Sequence, residues 1–355
     1  MKILYVGGFI LPDKNAAAQR VVANAKALRE LGHDVFFINA VKENIGEQWI
    51  DYFGFSCFEY KRKSEIKYLT SIKRIKKIII NKEIETVIAY NYPAVALGKM
   101  IRFCKKRKIK CIADVTEWYV AQGNIIFRAI KNFDTNLRMK KLHFQMDGII
   151  AISEFLYDFY KDRVKTVKIP PLVDIDEPKW HVNGDKDAEK LTLVYAGSPS
   201  AQKERLNIIV QTIEKVAEDL PILLNVIGIT NAQFNHIYKT RYSGEYAKFF
   251  GRVSNAEVIA LIKQADWTVV LRDKNKVVEA GFPTKVVESI TCGTPVIANQ
   301  FSNIADYLNE NNSILIESTD DLGEAIAQAI HKKVLFDNTC FDYRKYLSEL
   351  QSLFF

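Results

Sequence analysis

Residues 277–298 read VVEAGFPTKVVESITCGTPVIA and place two acids and a base around a tight turn. Gly281 lets the backbone approach a ligand closely, and Pro283 suits the first turn of a helix, where its missing N–H costs nothing. Lys285 and Glu288 are three residues apart on that helix and share a face. A carboxylate in this position can accept two hydroxyls of a ribose or another sugar, because it offers several acceptor lone pairs. A surface Lys–Glu pair without a ligand is the alternative.

Three cations stand at the ends of apolar segments in the same half of the chain. Lys203 and Arg205 lie between a strand-like segment and a helix in AGSPSAQKERLNII, and Arg272 closes the strand-like VVLRD. A helix N-terminus after a strand favours anions, and an arginine fork with a lysine point charge could hold a diphosphate. The P-loop pattern GxxxxGK[ST] is missing. Solvated surface cations, or a strand-end charge that reaches water, are the alternative.

The first half of the chain offers polar and aromatic groups after its strands. ADVTEWY puts Asp114, Glu117, Trp118 and Tyr119 on a predicted loop. Acids and rings there suit a sugar, through bonds to its hydroxyls and through stacking. A capped turn with two packed aromatic rings is the alternative. Asn91 follows a neighbouring predicted strand.

These residues need a scaffold that brings strand ends together. KILYVGGF, AAAQRVVANAKALRELG and HDVFFINA form a strand, a helix and a strand, and Gly8 in the first turn could approach a diphosphate. The alternation fills residues 1–173, stops over the polar linker 174–190 and restarts over 191–335. It predicts an α/β fold with two doubly wound, Rossmann-like domains that face each other across a cleft. Segment 336–355 is predicted to be a helix that crosses back onto the first domain.

Ligands of doubly wound sheets bind outside the carboxyl ends of the strands. The candidate loops all follow predicted strands. The sequence therefore predicts that loops of both domains line one cleft.

Composition and charge narrow the class of protein. The chain has 355 residues, too many for one comfortable core, and 48% of them are hydrophobic, as in ordinary globular proteins. Residues 1–172 contain 31 Lys and Arg against 17 Asp and Glu, a net +14, and the remainder contains 19 against 25, a net −6. A basic half suggests an anionic partner, either nucleic acid, an anionic membrane surface or a phosphorylated substrate. Nucleic acid is less favoured, because no recognised binding module is present.

Motifs for targeting and for metals are weak. No apolar segment reaches the roughly 18–20 residues of a transmembrane helix, and MKILYVGGFILPD reads as a buried strand rather than a signal peptide. The five cysteines form no CxxC pattern and are expected to be reduced thiols in a cytoplasmic chain. Asp174–Asp176 has the Asp-x-Asp spacing but falls in the predicted linker, so no metal site is predicted.

Two basic clusters, KRIKKIIINK and FCKKRKIK, interleave lysines with apolar residues. This pattern is typical of an interfacial helix and suggests that the first domain docks on the inner face of a cell membrane. A solvated helix face over a core stripe explains the same pattern equally well.

The segment EAGFPTKVVESITCGTPVIA resembles the donor-binding motif of retaining GT-B glycosyltransferases of family 4, the glycosyl transferases group 1 type. The usual form of that motif is Glu-Gly-Phe-Gly-x-x-x-x-Glu-Ala-x-Ala-x-Gly-x-Pro-Val, which Phe282, Glu288, Gly293, Pro295 and Val296 match. GRVSNAEVIALIKQADWTVV and LVYAGSPSAQKERL resemble neighbouring family segments, and MDGIIAISEFL and VKIPPLVD resemble the end of the N-terminal domain.

The resemblance implies a nucleotide-diphosphate-sugar donor, with a UDP-sugar favoured, and no cofactor. Glu288 would hold the ribose hydroxyls and Lys203 would neutralise the diphosphate. The residues implied to act on the transferred group are Lys203, Glu279 and Arg272. The implied donor-binding set is Glu288, Gly281, Phe282, Pro283, Thr284, Lys285, Arg205, Ser198, Arg252, Val253 and Gly8. The implied acceptor-binding set is Asp114, Glu117, Trp118, Tyr119 and Asn91.

This chain departs from the family pattern at two places. The first glutamate of the motif lies eight residues before the second, where this chain has Ala280, and Glu279 lies nine before. The arginine after the glycine that opens the second domain is Ser198 here, so Arg272 or Arg205 would have to replace it.

The implied function is transfer of a sugar, with retention and without a metal, to a glycan or lipid-linked acceptor in bacterial cell-surface polysaccharide synthesis. A nucleotide-sugar epimerase of the same fold and an inactive binding subunit are the alternatives.

Overall fold

The computed structural model describes residues 1–12, 15–120, 124–184, 186, 189–199 and 203–354. Parts of the predicted linker and of the loop before Lys203 lie outside the described residues. The chain divides into two compact units. The first comprises Met1–Val173 and Asp342–Phe355, and the second comprises Asp174–Phe341.

The strands alternate with helices along most of the chain. The strands are β1 Lys2–Gly7, β2 Asp34–Val41, β3 Gln48–Tyr52, β4 Phe55–Lys61, β5 Thr86–Tyr90, β6 Lys110–Val115, β7 Gly148–Ala151, β8 Thr166–Lys168, β9 Leu191–Ala196, β10 Ile222–Ile227, β11 Ala247–Gly251, β12 Trp267–Val270, β13 Val296–Asn299 and β14 Ser313–Ile316. The α-helices are α1 Ala16–Glu30, α2 Glu65–Thr70, α3 Lys73–Lys82, α4 Ala94–Arg107, α5 Ile125–Leu137, α6 Glu154–Tyr160, α7 Leu206–Val216, α8 Asn231–Tyr238, α9 Asn255–Gln264, α10 Lys276–Glu279, α11 Thr284–Thr291, α12 Leu322–His331 and α13 Leu347–Ser352.

Each unit is built on one sheet. The first sheet has the strand order β3-β4-β2-β1-β5-β6-β7-β8, and the second has the order β11-β10-β9-β12-β13-β14. All neighbouring strands are parallel except β3 and β4. The prediction of two Rossmann-like α/β units is confirmed. The strand order reverses between β1 and β5 and between β9 and β12, and such switch points open a crevice at the carboxyl ends of the strands.

Central strands are buried on both faces, which explains their continuous apolar sequences. In β1 the five residues from Ile3 to Gly7 are buried, and in β9 the five residues from Thr192 to Ala196 are buried. Helices that begin at capping residues cover these faces, as where Ser254 and Glu257 form a reciprocal capping box at α9. The strand ends therefore leave the core at defined positions.

The hairpin of β3 and β4 was missed in the sequence. Its two turn residues, Phe53 and Gly54, both have positive φ, of 57° and 77°. A two-residue turn of this kind matches the twist of paired antiparallel strands. Its usual sequence signal is Asn-Gly or Asp-Gly, and the phenylalanine hides it.

The C-terminal residues belong to the first unit. Residue Val173 pairs with Asp342, the Tyr343 hydroxyl donates to Glu30 at 3.1 Å, and the Lys110 ammonium donates to the carbonyl of Phe354 at 2.6 Å. The helical part is shorter than expected, because a 3₁₀ turn over Tyr343–Tyr346 precedes α13. The segment predicted as a linker lies in the second unit, and its Trp180 is buried.

Candidate functional site

In the second unit, the carboxyl end of β9 passes close under a lysine. Gly197 has φ +139°, and a Cβ there would lie 2.6 Å from Cε of Lys285. A side chain at this position would therefore displace the lysine. The glycine that follows β9 therefore leaves room for the Lys285 side chain of α11 at the end of this strand.

A buried glutamate that the sequence reading passed over organises this region. Lys285 Nζ donates to Glu204 Oε1, and Arg272 Nη2 donates to the same oxygen at 2.8 Å. The hydroxyl of Tyr195 donates to the other oxygen, Oε2. Glu204 is 4% exposed. One carboxylate thus faces two cations, and the cluster of Glu204, Arg272 and Lys285 carries a net charge of +1.

The ionised form of Glu204 is stabilised by its neighbours. Burial alone would raise its pKa, but Lys285 and Arg272 hold the pKa below its ordinary value. Burial lowers the pKa of Lys285 from its ordinary value, and the contact with Glu204 opposes that shift. A diphosphate at this strand end would meet a site with one cation more than its own carboxylate neutralises.

The Lys285–Glu288 pair expected from helical spacing is not the contact that the structure shows. Lys285 turns inward to Glu204, a residue 81 positions away, and is buried rather than on the surface. Glu288 is half-buried. Burial raises its pKa to about 7, against the opposing effect of Lys285 and of Lys179. Its carboxyl group therefore titrates near neutral pH.

The loop before α11 is held by a serine and by aromatic packing. Glu279 Oε1 accepts a hydrogen bond from the backbone N–H of Ser302 at 3.1 Å, and the Ser302 hydroxyl donates to the carbonyl of Gly281 at 2.7 Å. The ring of Phe282 is buried edge-on against Tyr307 and Phe341. The backbone at Gly281 is thus fixed on both sides.

The offset in the motif has a structural counterpart. Ala280, at the position of the family's first glutamate, is fully buried, whereas Glu279 is partly exposed. Pro283 lies one residue before the first helical position rather than in the first turn as predicted, because the helix begins at Thr284.

The remaining predicted cations differ in their surroundings. Arg205 forms a bidentate pair with Asp273, with Nε–Oδ1 at 2.7 Å and Nη2–Oδ2 at 2.6 Å. Lys203, Ser198 and Arg252 are exposed. Val253, next to Arg252, packs at the edge of a small apolar cluster around β9 and α9. Arg205 is therefore partly neutralised, and Lys203 faces solvent beside the buried cluster.

In the first unit, the position predicted for Asp114 was wrong. Asp114 lies inside β6, fully buried, and not on the following loop. Arg20 binds its Oδ1 through Nε and Nη2, both at 2.9 Å, and the Tyr5 hydroxyl donates to Oδ2 at 3.0 Å. Arg20 also donates through Nη1 to the carbonyls of Ile169 and Pro170. This carboxylate joins α1, β1, β6 and the end of β8, and none of its surface reaches solvent.

The loop after β6 separates into packed and exposed residues. Trp118 is buried with its ring edge-on to Phe155 and Phe159 of α6, as in the alternative of packed aromatics. Glu117 is half-buried and Tyr119 is 39% exposed. Tyr119 is therefore the aromatic ring of this loop that is open to a ligand.

At the switch point of the first sheet, Asn91 and Gly8 follow β5 and β1. Asn91 has φ +41° and donates through Nδ2 to the Thr116 hydroxyl at 2.6 Å, and its carbonyl accepts from Arg138 at 2.7 Å. Gly8 is exposed. The structure thus brings Gly8, Asn91 and Thr116 to one edge of the sheet.

Glu204 and Arg20 are the principal residues that the sequence reading missed. Glu204 is 68 residues from Arg272, and Arg20 is 94 from Asp114. Neither spacing carries a local signal. The position of Arg20 among the mostly apolar residues of α1 was the one available hint that this charged side chain is buried.

Residues 176–349 match the model of the family Glycosyl transferases group 1. No curated protein matches the sequence significantly.

Solved structures resemble the whole chain. Sucrose-phosphate synthase from Thermosynechococcus elongatus is 13% identical to this chain, with a TM-score of 0.67. The alignment covers 100% of this chain and 95% of the synthase chain. The lipopolysaccharide outer core galactosyltransferase WaaB is 13% identical to this chain, with a TM-score of 0.64. The alignment covers 100% of this chain and 99% of WaaB. Anabaena HepE, solved in complex with UDP and glucose, is 13% identical to this chain, with a TM-score of 0.61. The alignment covers 99% of this chain and 97% of HepE. The fold is therefore that of GT-B glycosyltransferases.

No group of three or more His, Cys, Asp or Glu side chains is placed to hold a metal ion in the described part of the chain. No helix among the same residues is long and apolar enough to cross a bilayer.

Proposed function

We propose that the protein is a glycosyltransferase that moves a sugar from a nucleotide-diphosphate sugar to a hydroxyl group. The observation that carries the proposal is the cluster of Glu204, Arg272 and Lys285 at the carboxyl ends of β9 and β12. It supplies a fixed excess of positive charge beside α11, which also carries Glu288. The match of residues 176–349 to the model of the family Glycosyl transferases group 1 supports the same function.

The donor is held from two sides in this proposal. The diphosphate lies against Arg272 and Lys285, with exposed Lys203 as a third cation, and the ribose hydroxyls donate to the Glu288 carboxylate. The fixed backbone at Gly281 approaches the phosphates or the sugar. UDP is the favoured nucleotide, because HepE binds UDP and glucose.

The proposed reaction requires the protein to stabilise the diphosphate leaving group. The bond between the anomeric carbon and the diphosphate oxygen breaks, the acceptor oxygen bonds to that carbon, and the acceptor proton is released. Negative charge grows on the diphosphate as the bond breaks, and cations already held in place stabilise it without reorganising. Because those cations come from the chain, we propose transfer without a metal. The resemblance of the segment around Glu288 to retaining GT-B glycosyltransferases leads us to propose that the transfer proceeds with retention.

The acceptor is proposed to bind at the carboxyl edge of the first sheet, at Gly8, Asn91 and Tyr119. A glycan or lipid-linked sugar suits an exposed ring and an amide. The likeness to a lipopolysaccharide galactosyltransferase supports a role in cell-surface polysaccharide synthesis at the cytoplasmic face of the membrane.

The test is a thermal-shift panel of nucleotides and nucleotide sugars, because a ligand that binds the native state raises its stability. We expect a UDP-sugar to raise the Tm of the wild type, and Lys203→Ala and Glu288→Ala to reduce that shift. Lys215→Ala, an exposed lysine on α7, is the matched control and should respond like the wild type. Equal responses of all four proteins to every nucleotide sugar would remove the site assignment.

The buried Ala280 makes an inactive binding subunit the second candidate. In that protein the donor would bind without turnover, since no carboxylate stands at the usual motif position. Slow hydrolysis of a bound donor by the wild type counts against this candidate. Isomerised donor without any acceptor would instead show an epimerase.

A further inference from the structure

Helix α5 turns its apolar face away from the unit that carries it. Ile125, Ile126, Ile130 and Phe133 are 81%, 69%, 62% and 68% exposed. Phe127 on the same helix and Val120 just before it are also exposed. Apolar side chains at this spacing form one broad stripe on a helix, and such stripes normally face a core.

The side of α5 that meets the unit is polar. Of its thirteen residues, all of which the structure describes, Thr135 alone is buried. Asp134 accepts a hydrogen bond from the backbone N–H of Ala94 at 2.9 Å, and Arg138, in the π-helical turn that follows, donates to the carbonyl of Asn91. The helix is thus anchored by its polar face, the reverse of an ordinary amphipathic helix on a soluble domain.

The exposed half of α5 precedes the contacts that the chain makes with α4. Asp134 meets the start of α4, and Leu142 lies 3.6 Å from a Cβ placed on Gly98, one turn further along α4. The two helices therefore run in the same direction. The nine residues Ile125–Phe133, which precede these contacts in the chain, form about 14 Å of helix.

The same segment is strongly basic. Residues 124–142 contain five basic side chains and one acidic one, a net +4. Arg128, Lys140 and Lys141 are exposed, and Lys131 is partly exposed. Cations beside a broad apolar stripe are the composition of helices that lie in the plane of an anionic membrane surface. A second copy of the chain fits less well, because the contact would bring two such cationic segments together.

We propose that α5 is a membrane-docking helix that lies in the interface of an anionic bilayer. Its apolar stripe enters the acyl boundary, and Arg128, Lys131, Lys140 and Lys141 remain at the head groups. The carboxyl edge with Gly8 and Asn91 then lies next to the lipid surface. Docking itself does not depend on the proposed transfer reaction, although the consequence for a lipid-linked acceptor rests on it.

The basic clusters singled out in the sequence do not supply this surface. In α3 the interleaved Ile75, Ile78 and Ile79 are buried, so that stripe is core. Lys105 and its basic neighbours stand at the C-terminal end of α4, whereas Asp134 of α5 contacts the N-terminal end of that helix. The surface with both charge and exposed apolar groups is α5.

The experiment is flotation with vesicles of phosphatidylglycerol and phosphatidylcholine, and of phosphatidylcholine alone, at low and at high salt. We expect the wild type to float with the anionic vesicles at low salt. The double variant Ile126→Glu/Phe133→Glu should bind at least about tenfold more weakly, because two carboxylates replace the inserted side chains. The matched control is Ile66→Glu on α2, where the isoleucine is 73% exposed, and it should float like the wild type.

A second variant reports insertion directly. Phe133→Trp should show blue-shifted emission on addition of anionic vesicles and quenching by brominated acyl chains. Wild-type protein that stays unbound at low salt, or a double variant that floats like the wild type, overturns the proposal. A dimer that the double variant abolishes, without vesicle binding, assigns the stripe to a second copy instead.

The same variants separate this proposal from the proposed function. Ile126→Glu/Phe133→Glu should keep the full thermal shift with UDP-sugars, because α5 lies outside the second unit. Loss of flotation with an intact donor response is the expected result. A protein that floats but shows no donor response would leave the docking helix standing and remove the donor site.

Discussion

Each unit holds a buried carboxylate paired with cations near the switch point of its sheet, and the two differ in their balance of charge. Asp114 faces one arginine, whose other N–H groups donate to two carbonyls, and the group is neutral. Glu204 faces both Arg272 and Lys285 and leaves one charge in excess. The first arrangement satisfies itself and joins elements of the fold. The second still has charge to offer a ligand, so surplus charge rather than residue type separates the structural pair from the candidate site.

Arg20→Met should have the largest effect on stability. It leaves the Asp114 carboxylate buried without a cation, and removing one partner of a buried pair typically costs about 3–5 kcal/mol of the free energy of unfolding. Urea denaturation measures the loss. Lys2→Met, at an exposed pair with Glu83, is the control and should change little. Asn24 Nδ2 also donates to Asp114 Oδ2, at 3.3 Å. A stable Arg20→Met protein would show that the hydrogen bonds from Tyr5 and Asn24 alone satisfy this carboxylate.

Glu204→Gln and Asp114→Asn test the contrast between the two clusters. Both should lower the free energy of unfolding, by up to about 3 kcal/mol, since each leaves cations without their carboxylate. Only Glu204→Gln places two unneutralised cations where a diphosphate can bind. UDP should therefore raise the Tm of Glu204→Gln by more than that of the wild type, and should not rescue Asp114→Asn. If UDP raised the Tm of both variants equally, or of neither, the two clusters would not differ in their capacity to bind a diphosphate.

Donor affinity should rise with pH through neutrality. Burial raises the pKa of Glu288 to about 7, so the group gains its charge, and its full capacity to accept ribose hydroxyls, as the pH passes that value. We expect UDP to bind about tenfold more tightly at pH 8 than at pH 6, as one titrating group allows. Calorimetric titration checks this, and Glu288→Gln should flatten the profile.

The same group gives a stability trend of opposite sign. The folded pKa lies above the ordinary value, so between the two values the native state binds more protons than the unfolded chain. The free energy of unfolding should therefore fall as the pH rises from about 4.5 to about 7. Comparing wild type with Glu288→Gln by denaturation at several pH values isolates this contribution, and parallel profiles would contradict it.

Arg205→Met should have the smallest effect. The side chains of Arg205 and Asp273 are each more than a third exposed. Exposed ion pairs contribute about 0–1 kcal/mol to the free energy of unfolding. If Arg205 also contacts the donor, affinity falls while stability stays nearly constant. If it only pairs with Asp273, both stay close to the wild type. A large loss of stability would contradict the assignment as a surface pair.

The local sequence pattern was enough to predict much of the fold of this protein. The alternation of apolar strands and amphipathic helices predicted two Rossmann-like units, because burial on both faces of a parallel sheet forces continuous apolar strands. The segment around Phe282 and Glu288 predicted the loop and helix that the structure shows at α11. These features depend on residues close together in the chain, where spacing alone determines which side chains share a face.

Other features were decided only by packing. The inward turn of Lys285 depends on Glu204, and the burial of Asp114 depends on Arg20, in each case across dozens of residues. The sequence of α5 determines that it has an apolar stripe, but only its anchoring through Asp134 and Arg138 decides that the stripe points outward. Periodicity determines which residues share a face of a helix or strand, whereas contacts between residues far apart in the chain determine what that face packs against. Both the surplus charge around Glu204 and the exposed apolar surface of α5 depend on such long-range contacts, so the tertiary structure was needed to find them.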